Sequence, residues 1–392
     1  MSAMSRRLVT IPASIRLSLF FFALFFVLGV YMPFFPVWLS ARGLGAGEIG
    51  IVLAVPMVVR IVTTTFTSAL ADRFGAPARA ILVFAAAALF FLLCLGAVDG
   101  VVLITVFLAS LAVFWMPLAP LVDALAMAVT RRDGADYGRM RLWGSLAFIL
   151  ANLGAGWLVG RFTGDIVFWV LVLGFSSVVL AATLLPRLEP AASEGDDAPL
   201  GTFLKRPAFL ALLAAGGLCQ ASHSFVYAFG SLYWQTLSFS GTEIGALWAI
   251  GVIAEIVLFS ISGRLNARFG PAGLILAAAT AAVLRWAAFP FLSGFTAFLA
   301  VQVLHGVTFG ATHLGLVHHV ARSVPERHAG AAQAFAVTIV TGASALSMGA
   351  SGPLYRAFGG DAFFAMAGVA VGAMGLVALS LVLKRRRERA AA

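Results

Sequence analysis

Charge is scarce in this sequence. Only 11% of its 392 residues are Asp, Glu, Lys or Arg, under half of the roughly 25% typical of a soluble domain, and this excludes a soluble globular protein. Cysteine is nearly missing: Cys94 and Cys219 are the two, both inside apolar runs, so neither a disulfide framework nor a cysteine metal site is available. The chain also has no His-Glu-x-x-His, no Gly-x-Ser-x-Gly elbow and no paired Asp-rich metal motif, so it is not expected to be an enzyme. No metal, nucleotide or nucleic-acid site is indicated. The net charge of +10 would suggest nucleic acid on a soluble protein, but too little chain lies outside the apolar runs to build a basic docking face.

Apolar residues are abundant. They make up 61% of the chain, and at about 20 residues per membrane helix that supplies about twelve spans. Runs bounded by charged or Gly/Pro-rich breaks predict spans near 17–39, 49–70, 79–97, 101–128, 138–160 and 165–185, and a second set near 207–235, 244–262, 273–291, 296–320, 330–354 and 361–383. The run near 17–39 is too long for a signal peptide and is followed by no small-residue cleavage site, so it reads as a helix. Between the sets lies the longest polar stretch, rich in Pro, Gly and acids. The expected organisation is therefore an N-terminal six-helix bundle over 1–188, a cytoplasmic linker over 189–206 and a C-terminal six-helix bundle over 207–392.

Twenty-one of the 26 Lys and Arg fall in segments on the side of the two termini, three on the opposite side and two, Arg60 and Arg285, within spans. The positive-inside rule thus puts both termini in the cytoplasm, and the expected location is a bacterial-type inner (plasma) membrane. The two sets also repeat. Glu48-Ile49-Gly50 recurs as Glu243-Ile244-Gly245 and Arg73-Phe74-Gly75 as Arg268-Phe269-Gly270, both offset by 195 residues. Halves repeated in one orientation place a substrate site near the bilayer midplane, between them.

Charged groups inside spans are costly and ask for partners or a water-filled cavity. Asp123 and Arg141, brought to similar depth by one short hairpin, are expected to pair. Glu255 and Arg285 are expected to share a cavity, with Arg60 as a third member. Fixed ion pairs that pin helices would account for the same charges. Five histidines, His223, His305, His313, His318 and His319, lie in spans; the last two, near the inner interface, read as packing histidines. Gln220, His223 and Tyr227 follow i, i+3, i+7 spacing and form one polar stripe. Phe20-Phe21-Phe22 carries no functional expectation.

GVYMPFFPVWL at 29–39, SALADRFG at 68–75 and DYGRMRLWGS at 136–145 resemble the major facilitator superfamily. SHSFVYAFGSLYWQ at 222–235, LWAIGVIAEI at 247–256 and VLHGVTFGATHL at 303–314 resemble its branch of 3-phenylpropionic acid transporters more than the neighbouring lactose permeases. The resemblance covers essentially the whole chain and implies an all-α membrane protein, two bundles of six transmembrane helices. It implies that Asp123 and Arg141 match a carboxylate–arginine pair at the permease substrate site, and that Arg285 and His305 match its proton-coupling arginine and histidine. Glu255 lies about one turn from its eighth-helix glutamate. The permease's proton-carrying glutamate corresponds to Thr308 and its tenth-helix lysine to Gln302, so the proton must ride elsewhere.

The expected activity is proton-coupled symport of a small aromatic carboxylate by alternating access, with the proton as coupling ion and no cofactor. Arg141 or Arg285 would hold the carboxylate, with Asp123 beside them and His223, Tyr227 and Trp248 as pocket walls. Glu255 is the first expected proton carrier, with Asp123 and His305 in reserve. Asp72 and Arg73 would gate the inner side. A sugar or nucleoside symporter and an exporter on the same fold remain open. The expected partners are the substrate, protons and the lipid bilayer, and a monomer is expected.

Overall fold

The computed structural model describes residues 11–73, 77–186 and 206–391, with the side chains of 64–73, 326, 327, 329, 390 and 391 outside the described part. The linker expected over 189–206 therefore lies outside it except for Arg206. Asp72 and Arg73 close the second helix, and their side chains are likewise outside.

The described residues form helices. The first half runs α1 (Ala13–Ala41), α2 (Ala46–Arg73), α3 (Pro77–Gly96), α4 (Val101–Trp115), α5 (Leu118–Asp133), α6 (Tyr137–Arg161) and α7 (Ile166–Thr183). The second runs α8 (Pro207–Ala221), α9 (Ser224–Thr236), α10 (Gly241–Ser260), α11 (Ser262–Ala288), α12 (Phe295–Gln302), α13 (Thr312–Ser323), α14 (Glu326–Phe358) and α15 (Phe363–Ala391). Three expected spans are each built from two helices. α4 and α5 meet at Met116-Pro117, where the proline lacks the N–H that would continue the ladder; α8 and α9 meet at Ser222-His223; α12 and α13 are joined through a π turn over Gly306–Ala311.

Eleven stretches among the described residues are long and apolar enough to cross a membrane. The last of them, Gly330–Arg389, holds two helices. Ser347 on α14 bonds the Ala221 carbonyl and Ile339 abuts Gly217, so α14 runs with α8. Ser380 on α15 bonds Ala208 and Gly372 abuts Leu218, so α15 runs against it. The chain turns back at Gly359, whose φ of +54° suits a residue without a Cβ. Large apolar side chains such as Trp169, Leu173, Leu180 and Leu284 point outward and exposed, which suits hydrocarbon and not water. Phe20 and Phe21 are fully buried in the first half, and Trp234 and Trp286 in the second.

Both halves begin their second span with the same device. The Glu48 carboxylate accepts from Gly45 N at 2.8 Å, and the Glu243 carboxylate accepts from Ser240 N at 2.8 Å. At α10 the Ser240 hydroxyl returns a bond and completes a capping box. The repeated Glu-Ile-Gly is thus a helix cap followed by a contact glycine. A Cβ on Gly50 would lie 2.7 Å from Gly352 N on α14, and one on Gly245 would lie 2.3 Å from Asn152 O on α6. Gly241 meets Gly156 as closely, with a Cβ falling 2.1 Å from its carbonyl oxygen. Two backbone-to-backbone seams, α2 with α14 and α6 with α10, therefore lock the halves together at the end opposite the termini. Asn152, fully buried in the second seam, has neither amide atom bonded among the described residues.

Candidate functional site

Between the halves lies a cavity of about 230 Å³ whose polar members include Arg141, Glu255, Arg285, Gln302 and His305. It continues into a vestibule lined by Tyr137, Arg141, Glu255 and His313, on the side of the termini.

Glycines bring the second-half members together. A Cβ on Gly306 would sit 2.6 Å from Ala254 O, and one on Gly251 would sit 3.1 Å from the His305 ring. α10 and the tenth span therefore pass at backbone contact, which sets Glu255 Oε1 2.9 Å from His305 Nε2. His305 Nδ1 lies 3.1 Å from an Arg285 Nη, and that same nitrogen donates to Thr308 Oγ1 at 3.0 Å. The other Arg285 Nη donates to Gln302 Oε1, and Gln302 in turn donates to the Leu247 carbonyl. Arg285 is 1% exposed, and its Nε–H has no bonded partner among the described residues.

The chemistry of these contacts fixes proton positions. Arginine only donates, so His305 Nδ1 must be the bare, accepting nitrogen. Its proton then sits on Nε2 and is donated to Glu255. The same logic runs the other way from Thr308. His223 Nδ1 faces the Cys219 carbonyl at 3.1 Å and must donate to it, so its Nε2 accepts the Thr308 hydroxyl proton at 2.8 Å. Arg285 is thus the source of two donor chains, one through His305 to Glu255 and one through Thr308 and His223 to the α8 backbone.

The first-half cation is arranged differently. Arg141 lies 3.7 Å over the Phe25 ring, a cation–π contact. The direct ion pair expected with Asp123 is not formed. Asp123 instead accepts from the Tyr137 hydroxyl at 2.9 Å, and Tyr137 lines the vestibule together with Arg141. Asp123 therefore stands behind Tyr137 and does not line the cavity.

The remaining expected residues separate by layer. Tyr227 and Trp248 line the cavity as a stacked pair, ring centroids 6.0 Å apart, with Trp248 Nε1 donating to Ser231. His223 is fully buried behind the wall. Arg60 lines an adjoining cavity, not the one shared by Glu255 and Arg285. His319 faces the Phe209 carbonyl at 3.3 Å, a packing contact. Tyr137 and Phe25 were not singled out from sequence; Tyr137, four residues before Arg141 on one helix face, was legible by spacing. Among the described residues no group of three or more His, Cys, Asp or Glu is placed to hold a metal.

A family model, the MFS_1 like family, matches residues 14–366. The chain belongs to this family, within the major facilitator superfamily. Relatives of this member include the probable 3-phenylpropionic acid transporter of Escherichia coli (strain K12), 31% identical over 91% of this chain and 95% of that one. The maltose permease of Geobacillus stearothermophilus is 28% identical over 79% of each chain. The crystal structure of the nucleoside transporter NupG superposes with a TM-score of 0.79 at 16% identity, covering 95% of this chain and 99% of that one. This MFS chain is thus a multi-pass membrane transporter and not an enzyme, and the structural likeness to NupG speaks for the fold alone.

Proposed function

We propose that this transporter is a proton-coupled symporter that imports a small aromatic carboxylate of the 3-phenylpropionate type across the inner membrane, both termini cytoplasmic. The observation that carries the reading is one cavity in which Arg141 faces a Glu255–His305–Arg285 chain. Arg141, stacked on Phe25 and without a direct carboxylate partner among the described residues, offers a planar fork to the substrate carboxylate. Tyr227 and Trp248 supply flat apolar walls for its ring. The similarity to a probable 3-phenylpropionic acid transporter supports the same substrate class.

Glu255 carries the proton in this reading. His305 is held in one tautomer by Arg285, since a second ring proton would point an N–H at another N–H. The carboxyl is therefore the group free to change state, and it opens toward the vestibule. Proton and substrate share one small cavity, so each alters the other's affinity, and binding linkage makes that effect reciprocal. Asp72 and Arg73 would act as gate residues, away from substrate.

The test is reconstitution in liposomes with an internal pH dye. Adding 3-phenylpropionate with no imposed gradient is expected to acidify the interior, whereas lactose or a nucleoside leaves it unchanged. Glu255→Gln is expected to abolish uphill accumulation while retaining exchange. Normal pH-driven accumulation by that variant would exclude Glu255 as the carrier, and a signal with the sugar or nucleoside would reassign the substrate.

A further inference from the structure

The cavity adjoining the central one, lined in part by Arg60, forms a second lobe beside it. It is about 280 Å³, somewhat larger than the first, and the two share Leu28, Met32 and Tyr227 as a common wall. On its far side the chemistry changes. Three methionines, Met57, Met116 and Met348, stand with the edge-packed pair Tyr31 and Trp115, whose ring centroids are 4.7 Å apart. Among the described residues, Arg60 is the one charged side chain that lines it.

We propose that this lobe seats the hydrocarbon body of an elongated amphipathic carboxylate, so that the substrate class extends to arylalkanoates longer than 3-phenylpropionate. The inference rests on the reading of Arg141 as carboxylate anchor. Three features support it. First, the lobe lies directly beside the charged one, with the side chains of Leu28, Met32 and Tyr227 common to both linings, so a ligand with a charged head and an apolar tail matches both once those side chains turn aside. Second, methionine is unbranched and polarisable and packs against hydrocarbons of varied shape, whereas Tyr31 and Trp115 give one rigid face. A sugar or nucleoside, which needs hydrogen-bond partners all round, finds them on this lining at Arg60, Thr341, Ser344 and the hydroxyls of Tyr31 and Tyr227, among apolar and methionine side chains. Third, Leu53, Pro56, Met57 and Arg60 follow i, i+3, i+4, i+7 on α2, so one helix face supplies the lobe and the aliphatic stem of Arg60 can extend its apolar surface.

The experiment is calorimetric titration of the purified full-length protein with 3-phenylpropionate, 5-phenylpentanoate and 7-phenylheptanoate. Affinity is expected to rise by about fourfold per added methylene in the wild type. Met57→Trp and Met116→Trp, each filling the lobe, are expected to flatten that rise to within about twofold while leaving 3-phenylpropionate binding unchanged; two positions guard against one variant misfolding. Because the variants sit in the same micelles as the wild type, their flat response separates binding in the lobe from partition into detergent. Binding of 3-phenylpropionate with no gain along the series, or an equal loss for all three acids in the Trp variants, overturns the lobe assignment alone. If no acid in the series binds, the carboxylate reading falls and this inference falls with it. A dicarboxylate of equal length that binds more tightly than the monocarboxylate overturns it in favour of charge recognition at Arg60.

Discussion

Arg141 holds its place on Phe25 because residue 144 is glycine. A Cβ there would lie 2.9 Å from the Phe25 ring and 3.0 Å from an Arg141 Nη. The guanidinium is therefore oriented before any ligand arrives. Lysine would keep the charge but lose the planar fork and the flat stacking surface. Arg141→Lys is expected to weaken 3-phenylpropionate binding by roughly tenfold or more, the scale of a lost hydrogen bond to a charged group, as measured by titration; wild-type affinity would move the anchor elsewhere. At this scale the sequence was informative about which residues are costly in a membrane and poor at pairing them. Depth and hairpin geometry brought Asp123 toward Arg141, yet Asp123 takes the Tyr137 hydroxyl as its partner. Thr308 stood out only as a missing glutamate. In the structure its hydroxyl accepts from Arg285 and donates to His223, a role open to any small hydroxyl and so without a spacing signature.

Elements were legible where hydropathy alone decides. Expected spans such as 207–235 and 101–128 match Pro207–Thr236 and Val101–Asp133 closely. What hydropathy does not register is a break inside an apolar run, because backbone geometry at Met116-Pro117, Ser222-His223 and Gly306–Ala311 leaves the side-chain pattern apolar. The π turn matters most, since it lies directly after His305 and changes the facing of every later residue on that span. It also places Gly306 where α10 crosses. Gly306→Val would drive a branched side chain into the Ala254 backbone. The expected result is a loss of about 1–3 kcal/mol, typical of overpacking, read as a lower melting temperature in detergent, with Glu255 pushed away from His305. An unchanged melting temperature would show that α10 can retreat without cost.

For the whole molecule, the repeat at an offset of 195 residues already implied two related halves. It could not imply how they meet, because contact between halves depends on residues such as Gly352 and Asn152 that belong to no repeated triplet. The structure has its seams closed at the end opposite the termini and its vestibule on the side of the termini. Gly352→Val tests this arrangement, since even a Cβ there would fall 2.4 Å from Ala46 O. Spin labels at Arg42 and Ser238, replacing those residues, are expected to report a longer distance across that end in the variant than in the wild type. No change would mean that the seam is not what holds the halves in this state.

The same seams are not equally comfortable. Where α6 meets α10, the backbones touch at Gly241 and Gly245, and Asn152 is enclosed between them with its amide oxygen and nitrogen both lacking a partner among the described residues. A buried polar group left unsatisfied costs about 1–3 kcal/mol, a cost that ends once the helices part and water reaches the amide. Close shape complementarity is thus set against a polar penalty within a single turn of helix. A joint built this way couples close backbone contact to a polar group that gains partners from water when the helices part.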